Sequence, residues 1–166
     1  MLRSLLVSKS HTAERVAEYF LWLSREDPIT PMQLLKMVYI SHGWMLGLHS
    51  RPLFAEQVEA WQYGPVVASV YHRYKKFGSK FITDCPQHQP IEFDGRERKV
   101  MEQVWNAYHT YTGVQLSALT HQKGSPWDLT KRAMHGSLGV ISNDLIEDHY
   151  RRLSHRTPQV ASTASA

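Results

Sequence analysis

The sequence predicts a mainly α fold: a single compact domain of about six helices, with a small β-hairpin between the second and third. Three observations predict it. Thr30/Gln33, Thr112/Gln115 and Ser125/Asp128 each carry the spacing of a capping box, and Pro31 and Pro126 stand where a first helical residue would. Between these starts, apolar residues recur at three- and four-residue spacing. Only residues 51–63 break that period in favour of short extended runs. With 166 residues, 42% hydrophobic and 11% aromatic, the chain can bury a core and is unlike a disordered segment.

The elements follow in order. Thr12 caps a first helix to about Leu23, with a core stripe of Ala13, Val16, Ala17, Phe20 and Leu23; Tyr19 and Trp22 fall off that stripe. The second helix starts at Pro31, stapled by Ile29 and Leu34, and reads apolar nearly all round toward Leu48, as a central helix does. Inside it, Gly43 and Gly47 suit close helix packing. Leu53-Phe54 and Val58 to Trp61 read as two strands joined by Ala55-Glu56-Gln57. Gly64-Pro65 reads as a strand-to-helix corner. Gly64 is open to φ values closed to other residues, and Pro65 is preset for a helix start. Val67, Val70, Tyr71, Tyr74 and Phe77 then carry a third helix to a stop at Gly78. Ser79 to Phe93, with two prolines and no period, is a loop. Asp94 opens a fourth helix with Val100, Met101, Val104, Trp105, Tyr108 and Tyr111 on its apolar side. Short helixes are predicted around Val114 to Thr120 and from Pro126 to about Met134. The last helix begins after Ser142, stapled by Ile141 and Ile146, and ends near Leu153. The domain plan is therefore an N-terminal segment over 1–11, the helical domain over 12–153, and a flexible Ser/Thr/Ala tail over 154–166.

The formal charge of +4 is a mild basic bias. Its positives sit in small groups: Arg73, Lys75, Lys76 and Lys80; Arg96, Arg98 and Lys99; Arg151, Arg152 and Arg156. Two of these groups fall near helix C-termini, where cations meet the dipole favourably, so nucleic acid is disfavoured as a partner. Cys85 is the single cysteine, which excludes an internal disulfide and a cysteine-based zinc site. The N-terminal apolar run is too short for a secretion signal and no stretch suits a bilayer, so a cytoplasmic protein with no membrane association is expected.

Ten histidines contain no His-Glu-x-x-His pattern and no i, i+4 pair on a helix, so no metal or cofactor is expected. Cys85 has no neighbouring base, and an enzyme would have to combine His121 with a distant carboxylate. The expectation is a binding protein without catalytic residues. Candidate partner-binding residues are Tyr19, Trp22, Lys36, Trp61 and Tyr63, because large aromatics in excess of core needs serve interfaces; the alternative for each aromatic is a place in the core. Lys36 is the only charge between Asp27 and Arg51. Either its stem packs while the ammonium reaches water or a carboxylate, or it contacts a partner at a groove edge.

Leu35-Lys36-Met37-Val38-Tyr39 with Trp44 and Leu46, Pro52-Leu53-Phe54, Glu59-Ala60-Trp61, Tyr63-Gly64-Pro65-Val66-Val67 with Val70-Tyr71, Leu119-Thr120-His121, and Pro126-Trp127 occur in that order. This ordered set resembles the Panacea domain, the family of SocA-type antitoxins and phage-associated proteins, over about Thr12 to Leu153. The signature positions are Tyr39, Gly64, Pro65, Val66, Tyr71, His121, Pro126 and Trp127. The resemblance implies a mostly helical domain acting as the antitoxin of a bacterial or phage toxin–antitoxin pair, binding its toxin directly. For SocA-type members it also implies an adaptor role that hands the toxin to a ClpXP-type protease. It brings no catalytic residues with it. The alternative reading is a DNA-binding autoregulator of its own operon.

Overall fold

A computed structural model describes residues 10–156, and its organising element is α2, Pro31–His49. The Thr30 hydroxyl accepts the Gln33 N–H, the Gln33 side chain accepts the Thr30 N–H, and Ile29 and Leu34 are both buried. From Leu34 to Gly43 every residue is buried. A helix apolar on all sides needs cover on all sides. α1 (Ala13–Leu23), α4 (Gly95–Tyr108), α5 (Gly113–Thr120) and α7 (Asn143–Arg156) supply it.

The closest approach is between α2 and α7. A Cβ at Gly43 would lie 2.2 Å from Cε2 of Tyr150, and one at Gly47 would lie 2.7 Å from the Tyr150 Cβ. The two glycines thus form the trough that receives Tyr150. Its ring meets Tyr39 and Trp44 edge-on, with centroids 6.2 and 5.1 Å away.

The caps hold as predicted, with one change. Thr12 caps α1, and the Glu56 carboxylate also accepts the Ala13 N–H, placing a negative charge on that helix's N-terminus. Asp94/Glu97 and Thr112/Gln115 close reciprocal boxes on α4 and α5. At α6 (Pro126–Ala133), Ser125 accepts the Asp128 N–H, but Asp128 takes the Gly124 N–H instead of returning the bond. The described residues hold seven α-helices, and α7 continues to Arg156, so residues 154–156 of the predicted tail are helical. Residues 1–9 of the predicted N-terminal segment and 157–166 of the tail lie outside the described residues.

The hairpin lies between α2 and α3 (Ala68–Tyr74) as predicted, and Val58–Trp61 is a strand as predicted, but it is the first strand of the hairpin and its partner is different. β1 (Val58–Trp61) pairs antiparallel with β2 (Gly64–Val66) through a turn at Gln62-Tyr63, and β3 (Val140–Ile141) joins the other side of β1, giving the order β2-β1-β3. Leu53-Phe54 is not its first strand: Phe54 makes a lone parallel bridge with His11, and the Leu53 N–H goes to Nδ1 of His42.

Gly64-Pro65 does not start a helix. Gly64, at φ +112°, closes the hairpin turn, and Pro65 sits in the edge strand opposite Ala60. Ala60 sends its N–H to Gly139 on the far side, so nothing in the ladder asks Pro65 for a donor. α3 starts later, over Ala68–Tyr74, and runs into a 3₁₀ turn that ends at Gly78, φ +59°, where the stop was predicted.

Gly43→Ala should destabilise the fold by about 2 kcal/mol through overpacking against Tyr150. Gly95→Ala, where an added Cβ meets nothing within 4 Å, should change stability by less than about 0.5 kcal/mol. Urea unfolding of the two variants compares them directly; equal stability would mean that α7 does not seat on the glycine trough.

Candidate functional site

The hairpin tip is tied to the helical layer through alternate backbone carbonyls. Trp61 O accepts from Nε1 of Trp127 on α6 at 2.6 Å. Tyr63 O accepts from Oγ of Ser117 on α5 at 2.6 Å, and Pro65 O accepts from Nζ of Lys36 on α2 at 3.0 Å. Three side chains from three helices therefore donate to three backbone carbonyls in and beside the two-residue turn. Gly64 stands among them for a second reason besides its φ. A Cβ there would lie 2.7 Å from Lys36 Nζ and 3.1 Å from Thr120 Oγ1.

Lys36 differs from both sequence expectations. It is fully buried, and its amine donates to the hairpin's backbone and pairs with no carboxylate among the described residues. Burial lowers its pKa to about 7, with no charged neighbour contributing. Above about pH 8 the group is largely an uncharged amine donating to Pro65.

Around this lock the signature aromatics pack on one another. The Trp61 ring meets Tyr71 edge-on at 4.9 Å, and its indole N–H goes to Glu59 at 2.6 Å. His121 lies 5.2 Å from the Trp127 ring, with Nδ1 3.4 Å from Ser117 Oγ, so its contacts are a hydroxyl and a ring, and no carboxylate. Pro126 and Val66 are buried, the first opening α6 and the second completing β2. Beyond the lock, Gln62 is exposed and Tyr63 projects with 60% of its surface in solvent.

Other predicted residues lie elsewhere. Tyr19 is not an exposed aromatic. It is fully buried, packs edge-on to Phe93 at 5.4 Å and donates its hydroxyl to Glu102 at 2.9 Å; burial pushes its pKa up to about 12. Trp22 is half-buried between Tyr19 and the Arg25 guanidinium, which stands 4.3 Å over its ring. Neither joins the hairpin. Tyr39 belongs to the α2–α7 seam.

Two residues escaped sequence reasoning. Ser117 is one; its signal is a pair of hydroxyl residues, Ser117 and Thr120, three apart on the buried face of α5. His42 is the other: Nδ1 accepts the Leu53 N–H at 3.2 Å, Nε2 donates to Asn143 at 2.9 Å, and the ring stacks on Phe54 at 4.0 Å. Burial drops its pKa to about 4, so it pins α7 and the pre-hairpin loop as a neutral group.

Four of the ten grouped cations pair with carboxylates. Arg73 bridges Glu14 and Glu18, Lys76 meets Asp84, and Arg151 and Arg152 pair with Glu147 and Asp148. Among the described residues no set of three His, Cys, Asp or Glu side chains could hold a metal ion, and no helix is long and apolar enough to cross a membrane.

The buried amine makes stability depend on pH in a stated direction. Between pH 7 and about 10 the unfolded chain carries a proton on Lys36 that the native chain does not, so stability rises as pH increases through that window. Measured against Lys36→Met, which has no such proton, the wild type should gain about 2 kcal/mol between pH 7 and 9. A constant difference in urea unfolding would contradict a neutral buried amine.

Residues 34–128 match the family described as antitoxin SocA-like, Panacea domain. Antitoxin SocA of Caulobacter vibrioides (strain NA1000 / CB15N) is 29% identical over 137 residues, covering 75% of this chain and 73% of that protein. No solved structure matches. Lys36, Gly64, Ser117 and Trp127, which assemble the hairpin lock, all fall inside the matched segment. This chain belongs to the SocA-like antitoxin family of Panacea-domain proteins.

Proposed function

We propose that this protein is the antitoxin of a two-gene toxin–antitoxin pair and neutralises its cognate toxin by direct contact, acting in the cytoplasm as a binding protein and not as an enzyme. The observation that carries this reading is the hairpin tip: a turn whose backbone is anchored from three helices while Tyr63 stands exposed. A rigid, prepositioned aromatic is what a binding hot spot requires, because little ordering entropy is lost when it docks. Trp61, the last residue of β1 before the tip, packs on Tyr71. The same contact would serve an adaptor that presents the toxin to a ClpXP-type protease, with the protease engaging a different surface. A DNA-binding autoregulator draws less support, since Arg73, Arg151 and Arg152 spend their charge on neighbouring carboxylates.

Co-expression with the neighbouring open reading frame tests the reading. That product should be lethal alone, harmless beside the antitoxin, and recovered in complex with it. Tyr63→Ala should weaken the complex at least tenfold while leaving the thermal midpoint unchanged, and Tyr19→Phe should leave binding unaffected. A neighbour that is harmless alone, or that stays lethal beside the wild-type protein, would sink the reading.

A further inference from the structure

Packing does not require an amine where Lys36 stands. A methionine would fill a similar volume at the centre of the domain without the cost of drying a titratable group. What the amine adds is a donor to Pro65 O, and with it a hold on β2 that depends on protonation. We propose that Lys36 is a protonation-sensitive latch: as a neutral amine it holds β2, and with it the Gln62-Tyr63 tip, in the binding position, and as an ammonium it frees β2 and loosens the tip, which Ser117 and Trp127 still tether. The functional half of this proposal rests on the toxin-binding reading above.

The geometry makes the two protonation states unequal. An ammonium brings three donors and a full charge, and this site offers it the single carbonyl of Pro65. Nζ makes no hydrogen bond to nearby Thr120, whose hydroxyl donates back into α5, to Leu116 O at 2.9 Å. No group on the surrounding elements compensates the charge. β2 carries no titratable side chain. On β1, Glu59 is engaged by the Trp61 indole; on α3, Arg73 is committed to Glu14 and Glu18, and His72 packs toward Trp61. His121 at the end of α5 faces Ser117 and Trp127. On α2 itself, Tyr39 packs on Tyr150, and His42 is held between Leu53 and Asn143. A buried charge with one acceptor and no counter-ion is relieved by admitting water. The element that can move to admit it is β2, a three-residue edge strand ending in an exposed turn, since α2 is enclosed by four helices. The lowered pKa of about 7 places the change within the physiological range.

If only the neutral form is competent, the competent fraction falls from about nine-tenths at pH 8 to about one-tenth at pH 6, and the apparent affinity for the toxin falls about tenfold. The test pairs two readouts on the wild type and Lys36→Met at pH 8 and pH 6: hydrogen-exchange protection factors for residues 58–66, and the dissociation constant for the co-purified toxin. The proposal expects hairpin protection and affinity to drop together at pH 6 in the wild type, with α2 and α7 protection unchanged. In Lys36→Met both readouts should be the same at the two pH values. It is overturned if wild-type hairpin protection does not change, if affinity stays constant while protection falls, or if Lys36→Met keeps the wild-type pH response. Should hairpin protection respond to pH as expected while no toxin binds at either pH, the latch stands and the toxin-binding reading falls.

Discussion

The hydrogen bond from the buried Lys36 amine to Pro65 O is the constraint on which the rest of the hairpin depends. It joins the most enclosed helix to the edge strand of a small sheet, and it does so with a group that is costly to bury. Several neighbouring choices follow from it. Position 64 must lack a side chain because Nζ and Thr120 Oγ1 occupy the space a Cβ would take, and it must also adopt φ +112° to turn the chain. Position 65 can be proline because β1 turns the opposing N–H of Ala60 to Gly139 instead. Ser117 and Trp127 then complete the tie at Tyr63 O and Trp61 O, while Gln62 and Tyr63 are exposed.

This arrangement explains why three segments far apart in sequence form one unit. The Lys36–Tyr39 stretch, the Trp61–Val66 corner and the Ser117–Trp127 stretch meet at the hairpin, one contributing the amine, one the carbonyls, one the hydroxyl and the indole. The α2–α7 seam is separate. Gly43 and Gly47 admit Tyr150, and His42 ties Asn143 at the start of α7, so the far side of the domain is closed by shape and by a neutral imidazole. Family membership and geometry agree on where the specialised chemistry lies: every member of the lock is within the matched residues.

Much of the fold was legible in the sequence because helix starts are local events. Thr12, Thr30, Asp94, Thr112 and Ser125 act on residues two or three positions away, and spacing alone reveals that. The Gly-Pro corner was misplaced because glycine's positive φ and proline's fixed φ serve a hairpin edge as well as a helix start; only β1 and Gly139, distant in sequence, decide between them. Tyr19 looked free because it lies off the α1 stripe, yet the loop before α4 and α4 itself cover it through Gln89, Phe93 and Glu102. Lys36 stood out from the sequence as a lone charge. That its partner would be a carbonyl, and not a carboxylate or solvent, depends on a contact across 29 positions that no local pattern carries.

The central claim is that Lys36 is a buried hydrogen-bond donor whose charge is lost near pH 7. Its most direct test is an NMR titration of the Lys36 side chain, following the ¹³Cε resonance of the folded protein with pH. A midpoint near 7, well separated from the other lysines, is the predicted result. A midpoint near the ordinary lysine value of about 10.5 would mean that the amine is charged and hydrated, and would contradict the account of the hairpin built on it.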